Sequence, residues 1–161
     1  MPDAPGATLS FLADTMLKKL AKYLRALGYN TFFDESADDQ ELLRIALDED
    51  RILLTRDRAL FEDAPDAHAF YLTPQLTENQ LKQLAQHYPI DFNESRFLTR
   101  CLECNTPIEQ IEKSTVRGEV PARVYKYREK FYHCTVCDQI FWRGDHVKRL
   151  RKKLLRILEA E

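Results

Sequence analysis

Apolar positions in the first half of the chain follow two periods in turn. Residues 8–13, Thr-Leu-Ser-Phe-Leu-Ala, make an apolar-rich run ending at Asp14 and predict a short buried strand. Met16, Leu17, Leu20, Ala21, Leu24 and Leu27 then recur at helical spacing, with Lys18, Lys19, Lys22 and Arg25 between them. Gly28 stands where a helix C-cap is expected. A second strand is predicted over residues 30–33, stopping at Asp34. A helix then runs from Asp38 or Asp39 to about Glu49, with Leu42, Leu43, Ala46 and Leu47 as its inner face. Residues 51–55, Arg-Ile-Leu-Leu-Thr, predict a third strand and residues 67–72 a fourth, followed by a helix over 77–87 with Leu81 and Leu84 inward.

Strands alternating with helices predict an α/β fold, a parallel sheet flanked by helices. The helical pattern lapses over residues 89–95, which are expected to link a first domain (8–88) to a second module (96–161). That module holds all four cysteines, a strand-like Arg123-Val-Tyr-Lys-Tyr127 and a basic terminal helix from about Asp145.

Charge divides at the same place. Residues 1–95 carry nine Lys/Arg against 17 Asp/Glu, whereas residues 96–161 carry 15 against nine, inside a net charge of only −2. An acidic half joined to a basic half suits a metal-dependent enzyme acting on a polyanion, and equally two halves that attract each other. No apolar run approaches the roughly 20 residues of a membrane span. Met1-Pro-Asp-Ala-Pro-Gly6 lacks the basic start and apolar stretch of a secretory signal, so a reducing cytoplasm is expected. There, cysteines point to a metal before disulfides.

Cys101-Leu-Glu-Cys104 and Cys134-Thr-Val-Cys137 are two C-x-x-C pairs, and no cysteine is left over. Two such knuckles complete a tetrahedral site for one structural Zn2+. Redox-active thiols are disfavoured, because neither pair opens a helix after a strand. Four thiolates close the coordination sphere, so the zinc is expected to fold the module, with His133 beside it and not in it. Tyr125, Tyr127, Phe131, Tyr132, Phe141 and Trp142, interleaved with Arg123, Lys126, Arg128, Lys130 and Arg143, could stack bases or build the small core of the module.

In an open parallel sheet, ligands bind at the carboxyl ends of the strands. Asp14 and Asp34 end the first two strands, Asp57 follows the third, and Asp38 and Asp39 start the helix after the second. Carboxylates meeting at one edge repel unless a cation joins them, and Mg2+ or Mn2+ suits an all-oxygen site. Asp39 could instead be a helix N-cap, and Asp34 reads as a turn residue. Neither G-x-G-x-x-G nor G-x-x-x-x-G-K-[ST] follows the first strand, and no nucleophile elbow occurs. Metal-assisted phosphodiester hydrolysis remains.

These residues resemble the PIN-like ribonucleases of the mut-seven C-terminal RNase family. The similarity lies in Phe11-Leu-Ala-Asp14, Met16-Leu17, Lys19-Leu-Ala, Leu24-Arg25 and Leu27-Gly28; in Asp38-Asp39 with Glu41-Leu42-Leu43; in Arg51-Ile-Leu-Leu-Thr-Arg-Asp57; in both cysteine pairs; and in Phe141-Trp142-Arg143-Gly144 with His146. The resemblance implies a PIN-like nuclease domain, a C-terminal zinc ribbon, and Mg2+ or Mn2+ held by Asp14, Asp57 and Asp39 or Asp38. Lys18 stands where the family has glycine. RNA is the implied partner, with DNA preference, cleavage polarity and oligomeric state left open. Lys19, Arg25, Arg56, Arg143, Lys148, Arg149 and Lys152 are the candidate nucleic-acid contacts, and Thr55 or Arg56 could touch a phosphate. An inactive nucleic-acid-binding protein and a protein-interaction adaptor remain as alternatives.

Overall fold

The computed structural model describes residues 9–64 and 68–159. Thr8 and Ala67, placed by sequence in the first and fourth strands, lie outside the described residues. The elements of the first half are β1 (Ser10–Ala13), α1 (Lys18–Ala26), β2 (Asn30–Phe32), α2 (Asp39–Asp48), β3 (Ile52–Thr55), α3 (Arg58–Asp63), β4 (Ala69–Tyr71) and α4 (Thr77–His87). All neighbouring strands pair in parallel, in the order β2-β1-β3-β4. The expected α/β architecture is therefore present. The short α3, which sequence periodicity did not predict, follows directly on Asp57.

The strands alternate their side chains between the two faces of the sheet. Phe11, Ala13 and Leu54 face one core with α1 and α4, while Leu12 and Leu53 face a second core with Leu42, Ile45, Ala46 and Leu60. Fully burying such a side chain contributes roughly 1.5–3 kcal/mol. The inner face of α2 is Leu42, Ile45 and Ala46; Leu47, expected inside, is half exposed. Met16 also differs from expectation, lying before α1 and 55% exposed. Gly28, at φ +98°, ends α1 in a Schellman arrangement: its N–H donates to the Arg25 carbonyl and that of Tyr29 to the Leu24 carbonyl.

Next come β5 (Glu109–Ile111), a 3-10 turn (Lys113–Val116), α5 (Ala122–Tyr127), β6 (Phe131–His133), β7 (Ile140–Phe141) and α6 (Asp145–Glu159). Strands β5, β6 and β7 form an antiparallel sheet over a small core of Val116, Val120 and Phe131. Arg123–Tyr127, expected as a strand, is helical. The Pro121 carbonyl accepts the Tyr125 N–H and the Val124 carbonyl accepts that of Arg128, so backbone bonds within one turn replace a ladder.

One core runs across residues 89–95, the expected link between the first domain and the second module. Ile90, Phe97, Val147, Leu154 and Ile157 belong to the same core as Phe11 and Leu20. Helix α6 thus completes the first core, and the cysteine lobe is carried between Phe97 and α6. Among the described residues, no helix is long and apolar enough to cross a membrane.

Candidate active site and metal centre

The order β2-β1-β3-β4 reverses direction between β1 and β3, and the carboxyl ends of those two strands flank the switch point where such sheets bind ligands. Asp14 follows β1 there, its N–H donating to the Leu54 carbonyl at 2.9 Å. Asp14 as a whole is only 4% exposed. One carboxylate oxygen accepts from the Thr15 N–H and the other from the Thr55 hydroxyl, each at 2.7 Å. Thr55 is fully buried, and its Oγ1 accepts the Asp57 N–H at 2.9 Å. The hydroxyl has one proton, so the direction is fixed: Asp57 N–H to Thr55 to Asp14. This removes Thr55 from the list of phosphate contacts. Periodicity could not reveal its role, because the bond joins residues 41 apart in sequence.

Asp57 N-caps α3, accepting from the Leu60 N–H at 3.2 Å. Asp38 N-caps α2, accepting from the Glu41 N–H at 2.9 Å. Asp39, by contrast, makes no side-chain hydrogen bond among the described residues. Desolvation and the charges of Asp14, Asp57, Asp38 and Asp63 hold its carboxyl above the usual range. Asp63, at the end of α3, is an acidic neighbour that the sequence did not single out. Asp34 is a turn residue as read: Ser36 donates to it through N–H and hydroxyl, holding its carboxyl low.

The basic candidates separate. Lys19 is exposed. Lys18 pairs with Glu35 at 2.9 Å. Arg56 reaches the Thr73 carbonyl at 3.4 Å, and its Nε is buried without a partner among the described residues. Arg25, expected as a nucleic-acid contact, is 4% exposed. Its Nε donates to the Thr31 carbonyl and its NH1 to the carbonyls of Leu102 and Glu103, in the first cysteine knuckle. On α6, Arg151 pairs with Glu94, and Lys153 and Arg156 both pair with Glu78. Lys148, Arg149 and Lys152 stay exposed, without a salt-bridge partner among the described residues. Part of the basic helix is therefore spent on the chain's own acidic half.

The four cysteine sulfurs lie within 4.8 Å of one another, the one such gathering of metal-ligand side chains among the described residues. Two like-built knuckles bring them together. In the first, the Cys101 N–H donates to the Thr106 carbonyl and the Asn105 N–H to the Cys101 carbonyl; in the second, Cys134 bonds Gln139 and Asp138 bonds Cys134 in the same way. Asn105 and Asp138 occupy the left-handed region at matching places. Burial pushes the Cys101 thiol up to about 12. Burial opposes the Cys104 thiolate too, but bonds from Thr106 and the neighbouring thiols bring it down to about 6. Four soft donors in this arrangement fit one zinc ion. His133 is held by Asp138 at 2.6 Å, outside the sulfur cluster.

Asn105 also anchors the lobe to the sheet. Its Oδ1 accepts the Thr31 N–H of the edge strand β2, and its Nδ2 donates to Asn30 Oδ1, which also accepts from Arg51.

The pattern of the Mut7-C RNAse domain matches residues 9–154. The chain belongs to the Mut7-C RNAse domain family. No curated protein matches it. Membership in an RNase-domain family points to a nuclease-type activity and to nucleic acid as the ligand. The match spans the carboxylate edge, both knuckles and most of α6, so the Mut7-C region includes the lobe and the helix together.

Proposed function

We propose that the protein is a metal-dependent ribonuclease that hydrolyses RNA phosphodiester bonds at the carboxylate edge of its parallel sheet. Asp14, Asp57 and Asp39 are assigned to Mg2+ or Mn2+, a hard cation matched to oxygen donors. The observation that carries the reading is the run Asp57–Thr55–Asp14 at the switch point of an RNase-domain fold, with the Asp39 carboxyl raised by desolvation and then by the charge of both aspartates. A divalent ion bound there would lower the pKa of an attacking water and offset charge developing on the phosphate. Thr55 fixes the orientation of Asp14, and with about four lone-pair sites on a carboxylate the two bonds it accepts leave room for more. Asp39 is preferred to Asp38 because it feels the charges of Asp14 and Asp57 and makes no side-chain hydrogen bond among the described residues, whereas Asp38, like Asp57, caps a helix.

Lys19, Arg143, Lys148, Arg149 and Lys152 are the side chains assigned to the RNA backbone, with the zinc lobe as a rigid support. Free thiols gathered for a metal suit a reducing compartment such as the cytoplasm. The test is cleavage of RNA by purified protein with Mn2+. Asp14→Asn combined with Asp57→Asn is expected to abolish it; undiminished cleavage by that double variant would remove the site assignment, and absence of cleavage by the wild type under all divalent ions would remove the enzyme reading.

A further inference from the structure

A recess lies between the zinc lobe and α6, away from the carboxylates. Tyr132, Phe141 and Trp142 give it an aromatic wall, and Arg100, Arg143 and His146 give it polar edges. Val147 and Leu150 of α6 close its other side, and no acidic residue lines it. The cavity measures about 80 Å³. A water needs roughly 10–15 Å³ on the same measure, so the space equals that of several waters and takes one small planar ring.

We propose that this recess is a binding site for a single pyrimidine nucleotide of the RNA strand. The ring would lie against the aromatic wall, since every base has a face that stacks on an aromatic side chain. The phosphate would meet the cationic rim, where Arg143 presents a fork suited to phosphate oxygens. Arg143 is itself held in place: one nitrogen donates to the Phe97 carbonyl at 3.1 Å, and its guanidinium lies over the rings of Phe97 and Tyr132. Arg100 is fixed likewise, by the carbonyls of Gly28 and Asn105. Rigid partners lose little freedom on binding.

The recess opens beside the first turns of α6. Fifteen residues make that helix about 22 Å long. Its far end pairs with Glu78 in the first turn of α4, which begins after β4 on the carboxylate side of the sheet. The exposed Lys148, Arg149 and Lys152 lie between. A strand cut at the carboxylates could thus be read one base at a time at a distance, so the proposal rests on the ribonuclease reading, while its test does not need cleavage.

Trp142 is the only tryptophan in the chain, so its fluorescence reports this recess alone. Titrating the zinc-loaded protein with uridine monophosphate should give a saturable change that inorganic phosphate does not reproduce. Arg143→Gln, which removes a charge-assisted phosphate contact, and the recess-filling Ile108→Phe, which displaces the stacked base, should each weaken binding about tenfold. Retained zinc and unchanged circular dichroism identify the variants that fold. No saturable change in the wild type, or wild-type affinity in either folded variant, overturns the proposal. Loss of cleavage in Asp14→Asn with uridine monophosphate binding intact would separate this site from the catalytic one.

Discussion

The hydroxyl of Thr55 donates to Asp14 across the β1–β3 junction at 2.7 Å, and both residues are buried. The same oxygen accepts the N–H that begins the Asp57 cap. One side chain therefore sets the relative position of the two carboxylates assigned to the metal. Thr55→Val keeps the shape but leaves a carboxylate oxygen and an N–H without partners, which costs about 1–3 kcal/mol. It should lower cleavage by up to about a hundredfold, the scale of a small misplacement of a catalytic group. Thr55→Ser restores the bond and should recover most of the rate. Thermal melts beside cleavage rates check both; equal rates in Thr55→Val would show that Asp14 needs no such support.

Much of this was legible in the sequence, and what was not has physical causes. The four strands, the aspartates after β1 and β3, and the cysteine pairs are local signals: an apolar run, its stop, and a fixed spacing. Gly28 was legible for the same reason, although its second constraint was not: a Cβ there would lie 2.7 Å from the Arg96 carbonyl oxygen. Helical periodicity gives the face that Arg25 occupies and not the lobe that covers that face. The carbonyl partners of Arg25 at Leu102 and Glu103 lie 77 and 78 residues away. The same limit applies to α6: charge reversal marks off residues 96–161, while the packing of Leu154 and Ile157 in the core of Phe11 and Leu20 leaves no local signal in the sequence.

Asp38 and Asp39 are adjacent but do different work, and substitutions should separate them. Asp38→Ala removes the α2 cap and should cost about 1 kcal/mol while sparing most of the cleavage. Asp39→Asn should do the reverse, abolishing cleavage and leaving the metal-free protein at least as stable. The sign follows from the raised Asp39 carboxyl. A folded-state value above the unfolded one means that ionisation disfavours the fold, so the penalty is present above the folded value and vanishes in acid. Mn2+ should therefore raise the melting temperature at neutral pH, and the gain should fade as the pH falls through the folded-state value of Asp39, which lies above the usual carboxylate range of about 4. A gain independent of pH would point to binding elsewhere.

Zinc should displace protons on binding. Cys101 is pushed up to about 12, and Cys137 is also raised by burial, so both are thiols at neutral pH in the metal-free lobe. Cys104, at about 6, is mostly thiolate already. Loading zinc near neutral pH in weak buffer should release at least the two protons of Cys101 and Cys137, and affinity should rise with pH. Cys104→Ser should weaken zinc and, through Asn105, loosen the β2 edge. Hydrogen exchange at Thr31 reads this directly, because its N–H is held by the Asn105 side chain. Unchanged protection of that amide after zinc removal would uncouple the lobe from the sheet.

The two sets of cations on α6 should respond oppositely to substitution. Lys148, Arg149 and Lys152 are exposed, whereas Arg151, Lys153 and Arg156 are tied to Glu94 and Glu78. If the first set meets phosphates, replacing all three by Gln should lower the dependence of log affinity for single-stranded RNA on log salt by about 2, at roughly 0.7 per contact. Melting temperature should barely change. Replacing the second set should leave that slope nearly intact and lower the melting temperature, since Glu78 and Glu94 lose their partners; exposed pairs are weak, so the shift is small. The comparison works because both variants lose the same charge. A similar fall in slope for both would mean that RNA senses only the net charge of the helix, and the assignment of Lys148, Arg149 and Lys152 as contacts would be withdrawn.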